Sequence, residues 1–331
     1  MIGDVPLLGS LIFGGCCSNA VTLEVMTKQL PDSGALLTLA QFLATTAVAL
    51  VGRVQWDGCR PRFPHRVPLQ RWIVQVVLYY ATSMLNNMAF AYAIPMSVHI
   101  IFRSGGMVVN MLLGWIVDGK RYSLLQVASV LLVSVGVIVA TLSANTKPQE
   151  AAEAIAPTST YATGILLLSI ALLSSGVMGI FQERTFRKYG RDVWHESLFF
   201  SHLFSLPLFL LHTRDIDAQV RAARATTQVW IGVQDTPLGM WIPSFLVGLV
   251  LNVLTQLLCI NGVNRLTSRV SSLTVSLLLV VRKALSLIIS MVVLNHEVGS
   301  IWLWLGAAGV LIGTVGYTYG GMQRTAKPKT Q

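Results

Sequence analysis

Long, nearly uncharged apolar blocks recur along almost the whole of this chain, and they dictate what it can become. A bilayer span needs roughly 20 mostly apolar residues. Ten blocks of that kind are readable, at about 7–27, 34–52, 72–92, 95–117, 123–143, 161–181, 194–213, 239–262, 270–294 and 301–322. Of the 331 residues, 53% are hydrophobic and 11% charged, against about 25% charged in soluble domains. No single soluble core hides so much apolar surface. The expected fold is an all-α membrane protein of ten transmembrane helices. Pro95 marks a tight turn between the third and fourth. Residues 144–160 read as a flexible loop and 323–331 as a tail. In the polar loop 214–238, Ile216, Val220 and Ala223 share one helical face, which suits a helix lying on the membrane surface.

The net charge of +10 could point to nucleic acid, but its distribution points to topology instead. With the N-terminus in the cytosol, the loops on that side carry Arg53, Arg60, Arg62, Arg66 and Arg71; Lys120 and Arg121; Arg184, Arg187, Lys188 and Arg191; and Arg265 and Arg269. The tail adds Arg324, Lys327 and Lys329. The opposite side has only Lys28, Lys147, Arg214, Arg221 and Arg224. Basic residues gather in short cytosolic loops, so both termini are expected there. Of the 24 Lys and Arg, three remain, and all lie inside spans: Arg103, Arg282 and Lys283.

A weak repeat organises these cations. Residues Val130–Gly136 (VLLVSVG) resemble Val310–Gly316 (VLIGTVG) at an offset of 180, and the same offset carries Arg103 to Lys283. Spans four and nine are then equivalent members of two five-helix halves, about 1–143 and 161–322. Because five is odd, the second half is inverted. Inverted repeats with a midplane site between them are a transporter architecture.

A charge at mid-bilayer costs several kcal/mol unless it faces a cavity or a partner. Glu24, late in span one, is the single acid near a span interior; it could pair with one cation but not with three. An anionic solute balances the rest. In span four, His99, Arg103 and Asn110 share a face; in span nine, Ser272, Ser276, Lys283, Ser286 and Ser290 do. Arg282 lies about 100° round from Lys283, among Val275, Leu278 and Ile289, which places Lys283 in the cavity and Arg282 at its edge. Asn252, Gln256 and Cys259 share a face of span eight. Span three offers Asn86 and Asn87, and span one Ser18, Asn19 and Thr22. Buried Asn and Ser equally serve to join helices. Gly105-Gly106 and Gly176…Gly179 read as sites of close helix packing. Arg grips phosphate with parallel bonds and Lys acts as a point charge, while amides can read a nucleobase edge.

The four cysteines (Cys16, Cys17, Cys59, Cys259) have no CxxC spacing and read as small apolar residues, with neither metal nor disulfide role. The first apolar run lacks a basic n-region and a clear cleavage site, so it reads as a retained helix. No cofactor, metal or nucleic-acid partner is expected.

The stretches FGGCCSN (13–19), LAQF (39–42), HIIFRSGGMVVNMLLG (99–114), KRYS (120–123), GIFQE (179–183), TQLLCINGV (255–263) and SSLTVSLLLVVRKALSL (271–287) resemble the nucleotide-sugar transporters of the drug/metabolite transporter superfamily. The resemblance is to the branch that carries UDP-N-acetylglucosamine and UDP-xylose. It implies ten helices, no enzymatic activity, and exchange of a cytosolic UDP-sugar for luminal UMP across the endoplasmic reticulum or Golgi membrane. It assigns the phosphates to Arg103, Arg282 and Lys283. Where family members carry an aromatic-Tyr-Asn motif in span seven, this chain has Phe199-Phe200-Ser201-His202, which makes Ser201 and His202 candidates for the base or sugar. Lys327 and Lys329, third and fifth from the end, resemble a dilysine retrieval signal read by the coat machinery. A homodimer is left open. The alternatives are another anionic nucleotide or phosphate ester on the same fold, an intramembrane nucleotide-sugar-using enzyme, or a non-transporting scaffold.

Overall fold

The structure, a computed structural model, describes residues 4–51, 55–57, 60–62, 64–90, 96–144, 158–231, 240–289 and 300–326; within these, side chains at 4–6, 55–62, 87, 89–90, 96–104, 144, 158–161, 231, 287 and 324–326 lie outside the description. The described residues are almost wholly helical. In order the chain forms α1 (Asp4–Gly9), a π-helical segment (Ser10–Gly15), α2 (Cys16–Gln29), α3 (Gly34–Val51), β1 (Gln55–Asp57), β2 (Arg60–Arg62), α4 (Leu69–Phe90), α5 (Met96–Asp118), α6 (Leu124–Ala144) and α7 (Thr158–Tyr189). There follow α8 (Trp194–Ser205), α9 (Thr213–Arg224), β3 (Gln228–Ile231), β4 (Met240–Pro243), α10 (Ser244–Thr267), α11 (Ser272–Ile289) and α12 (Ile301–Ala326).

Among the described residues, six helices are long and apolar enough to cross a membrane: Leu7–Gln29, Gly34–Val51, Leu124–Ser143, Ala162–Tyr189, Ser244–Thr267 and Ile301–Gln323. The other expected spans fall on α4, α5, α8 and α11. Span seven differs from expectation. The α-helix stops at Ser205 and tightens into a 3-10 helix over Leu206–His212, because Pro207 has no N–H to donate back into the α ladder. The amphipathic face at Ile216, Val220 and Ala223 does form a helix, α9; Ala223 is buried beside Met26, Leu37 and Phe245. Two short antiparallel hairpins form, β1–β2 and β3–β4; β1, β2 and β3 lie in segments expected as loops, whereas β4 takes the first residues of expected span eight, so that α10 starts only at Ser244.

Packing divides the chain into two units, and each draws on both halves of the sequence: residues 1–73 with 189–269, and 74–188 with 270–331. In the first unit, Cys16 and Cys259 form a disulfide joining α2 to α10, with their Cα atoms 4.5 Å apart. The cysteines therefore do not all act as small apolar residues. The helices approach closely enough because Gly15 has no side chain: a Cβ there would sit 2.8 Å from the Cys259 nitrogen. Cys17 is a buried free thiol; Cys59 lies outside the described residues.

The second unit is built on α6 and α12, the two helices that carry the sequence repeat. They run antiparallel: Gly136 meets Gly306 and Val310, and Gly313 meets Val133 and Ser129. A Cβ on Gly136 would fall 2.7 Å from the Gly306 carbonyl oxygen, and one on Gly313 would fall 2.8 Å from the Ser129 oxygen. Small residues let backbones touch where lipid offers no hydrophobic drive to pair helices. Met107, Met111, Leu273, Leu277, Val310 and Tyr317 then fill the core between α5, α6, α11 and α12.

Candidate substrate site

The second unit holds the three cations. The helices bearing them, α5 and α11, are tied at two points. Asn110 donates through Nδ2 to Ser276 Oγ at 2.9 Å. Farther along, the Glu183 carboxylate takes Lys120 Nζ, two residues past the end of α5, at 2.5 Å, and the backbone N–H of Ser272, the first residue of α11, at 2.8 Å. The C-terminal end of α5 thus lies beside the N-terminal start of α11, so the two helices are antiparallel. From the Asn110–Ser276 tie, Arg103 is seven residues back and Lys283 is seven residues on. Seven residues is close to two turns, about 10.5 Å of rise, and returns to nearly the same face of the helix. The helical repeat therefore sets positions 103 and 283 at about one level along the pair.

Lys283 is exposed and Arg282 half-buried. The Arg103 and His99 side chains lie outside the described ones. On the same helices, Asn110 Oδ1 and Ser286 Oγ are buried with no hydrogen-bond partner among the described residues, which leaves an acceptor and a hydroxyl open to a polar ligand. Gly176 and Gly179 let α7 in closely: a Cβ on Gly176 would meet Leu113 at 2.6 Å and Asn110 Oδ1 at 3.3 Å. One residue beyond the apolar span, the Asp118 side chain is only 2% exposed and is ringed by Lys120, Arg184 and Arg187. Burial alone would raise its pKa; the Arg184 hydrogen bond and the three cations outweigh it and hold the carboxyl below its usual value.

The first unit assigns several candidate amides to joining helices. Asn252 is fully buried. Its Nδ2 donates to Thr22 Oγ1 at 3.0 Å, its Oδ1 accepts from Gln41 at 2.7 Å, and its carbonyl accepts from Asn19 at 2.9 Å. One residue of α10 thus links α2 and α3. Gln41 was not singled out as a site residue, and only the quoted LAQF stretch contained it. Gln256 is half-buried one turn on. His202 Nδ1 lies 2.7 Å from its own helix carbonyl at Leu198, and its ring packs on Phe42 at 4.7 Å. Ser201 Oγ is buried without a hydrogen-bond partner among the described residues. In the second unit, Asn86 donates back to Thr82 O at 2.8 Å; the Asn87 side chain is outside the description. Glu24 lies 3.0 Å from Lys28.

A cavity of about 660 Å³ opens within the first unit, among α3, the segment at 64–66, the start of α8 and α10. His65, Arg66, His195 and Asn261 line it, and no sequence-predicted site residue does. Glu196, 4% exposed, binds the backbone N–H groups of Arg66 and Val67 at 2.8 and 3.1 Å and pins this segment.

A family model described as the UAA transporter family matches residues 5–321. The fission yeast Schizosaccharomyces pombe protein named UDP-N-acetylglucosamine transporter yea4 is 40% identical over 290 residues, 88% of each chain. A Danio rerio protein named UDP-xylose and UDP-N-acetylglucosamine transporter is 35% identical over 93% of this chain and 92% of its own. A Drosophila melanogaster protein named endoplasmic reticulum GDP-fucose transporter is 36% identical over 91% of this chain and 88% of its own. One crystal structure superposes with a TM-score of 0.58 at 17% identity, covering 96% of this chain and 99% of that one, which supports the fold alone.

Proposed function

The chain belongs to the UAA transporter family, and from that premise we propose that it is an antiporter bringing UDP-N-acetylglucosamine, or UDP-xylose, from the cytosol into the lumen of the endoplasmic reticulum or Golgi in exchange for UMP. The observation that carries this reading is the antiparallel α5–α11 pair, tied at Asn110–Ser276, with Arg103 and Lys283 each two turns beyond the tie. Two cations at one level suit a diphosphate, which offers oxygens to both. Arg282 stands at the rim. Asn110 and Ser286, each with an open polar valence, are placed to meet the sugar or base.

Exchange follows from the charge balance. Positive charge in a low-dielectric surround opposes closure, and the negative charge of a bound nucleotide lowers that cost. The loaded carrier closes and reopens on the other side, and UMP returns on the same cations. The ten-helix inverted design supplies the two-fold machinery for that switch; the antiparallel packing of α6 and α12 supports it. Both termini face the cytosol in this reading, and the tail offers Lys327 and Lys329 to retrieval coats.

The relative named for GDP-fucose favours a second reading in which the phosphate site is shared and the base differs. Proteoliposomes preloaded with UMP or GMP and offered UDP- and GDP-sugars separate the two. Uptake of a UDP-sugar driven only by UMP supports the first reading; uptake driven only by GMP overturns it.

A further inference from the structure

The KRYS and GIFQE stretches have no place in the phosphate site, yet the structure brings Lys120 and Glu183 together at the start of α11. The first four N–H groups of a helix have no partner within it. Ser271 precedes α11 and its Oγ takes the Thr274 N–H at 3.3 Å, as an N-cap does. That leaves the Ser272 N–H for an outside acceptor, and Glu183 Oε2 supplies it from α7 at 2.8 Å. The other oxygen is held by Lys120 at 2.5 Å. The Glu183 side chain is only 14% exposed, and Gly179, one turn earlier, brings α7 to the same place: its added Cβ would lie 3.4 Å from Ser272 Cβ.

We propose that Glu183 is a positioning residue for transport: by accepting the Ser272 N–H it fixes how far α11 slides along its axis, and hence the level at which Lys283 stands relative to Arg103. The inference rests on the reading that these two cations meet the substrate's phosphates. Ser272, Ser276 and Lys283 are successive points on one rigid helix, so releasing the first moves the last. A shift of one residue is about 1.5 Å of rise and 100° of rotation, enough to carry Lys283 off the face it shares with the tie.

Four variants of the full chain test this in UMP-preloaded proteoliposomes, with UDP-N-acetylglucosamine uptake measured over a range of concentrations. Glu183→Gln keeps an oxygen for the N–H and loses the ion pair. Glu183→Leu loses both. Ser272→Pro removes the N–H together with the serine hydroxyl, at the first helical position, where proline is accepted, and its KM is read beside that of Ser272→Ala, which loses the hydroxyl alone and should match wild type. The expected result is a KM within about threefold of wild type for Glu183→Gln and raised roughly tenfold for Glu183→Leu and Ser272→Pro, with maximal rate per folded protein within about twofold. A purely structural role lowers the yield of folded protein and leaves KM unchanged. An unchanged KM in Ser272→Pro overturns the proposal, as does a Ser272→Pro protein that cannot fold, because the N–H then carries the fold and not the register. Equal damage from Gln and Leu also overturns it, in favour of the ion pair. If Lys283→Ala transports normally, the phosphate-site reading fails; if Lys283→Ala is inactive while Ser272→Pro keeps its KM, only the positioning role fails.

Discussion

Replacing Gly306 with alanine tests whether the second unit depends on backbone contact between α6 and α12. An alanine Cβ at 306 would lie 2.6 Å from both the Ala140 nitrogen and the Gly136 carbonyl oxygen, and 2.8 Å from Ala140 Cβ. Two of these are backbone atoms, so no rotamer change relieves them. Non-bonded heavy atoms are comfortable at about 3.5 Å, so the helices must part by roughly 0.9 Å at this point. Overpacking of this kind costs about 1–3 kcal/mol, and the gain from alanine's better helix propensity returns at most about 1 kcal/mol. Gly309, one turn away, is the control: its added Cβ has nothing nearer than Gly136 Cα at 3.6 Å, an ordinary contact, so Gly309→Ala keeps the propensity gain without the clash. Melting followed by size-exclusion fluorescence should place Gly306→Ala about 3–6 °C below wild type and Gly309→Ala at or above it. Equal melting points for the two variants would refute the reasoning, because they differ only in what the new methyl meets.

The Cys16–Cys259 disulfide should appear as a linked peptide pair in non-reducing mass spectrometry, and Cys259→Ser should lower stability by about 2–4 kcal/mol, read as an earlier melt; recovery of both residues as free thiols contradicts the pairing. Asn252→Leu leaves Gln41 and Thr22 without a shared partner and should cost about 1–3 kcal/mol, again read by melting, with KM for the nucleotide sugar changing less than the melting point implies; a variant that binds poorly but melts normally would return Asn252 to the substrate site. Arg265 belongs to the first unit, where it sits over the Trp194 ring at 5.2 Å. Arg265→Ala should therefore give up roughly 0.5–2 kcal/mol of stability and keep its exchange KM. A raised KM there would place the anion site in the wrong unit.

Much of this protein was legible because membrane folding leaves few options. Apolar length reports helices, and loop charge reports the residues left inside them, so Arg103, Arg282 and Lys283 stood out by subtraction. The expectation that Lys283 and Arg282 face different ways needed only the helical period. What stayed hidden depends on distant partners. Cys16 and Cys259 are 243 residues apart, and no local spacing announces their bond; Gly15 and Gly262 beside them hinted at close approach and were not read that way. Asn19 and Asn252 have the same composition whether they bind a ligand or each other's helices, and only the geometry decides. Lys120 and Glu183 sit in quoted motifs, but their meeting at Ser272 is a property of three helices together. The switch to 3-10 helix after Ser205 was within reach, since Pro207 marks it, yet the apolar run continues past it and masks the break.

The account stands on the two cations that the α5–α11 tie brings to one level. Its most direct test is nucleotide-sugar exchange by purified Lys283→Ala and Arg103→Ala in UMP-preloaded proteoliposomes, beside wild type, with melting points confirming that all three are folded. The account predicts that wild type exchanges UDP-N-acetylglucosamine for UMP and that each variant loses at least about a hundredfold in Vmax/KM, the equivalent of roughly 2.7 kcal/mol, within the range for deleting one partner of a desolvated charge pair. Folded variants that exchange at the wild-type rate would contradict it.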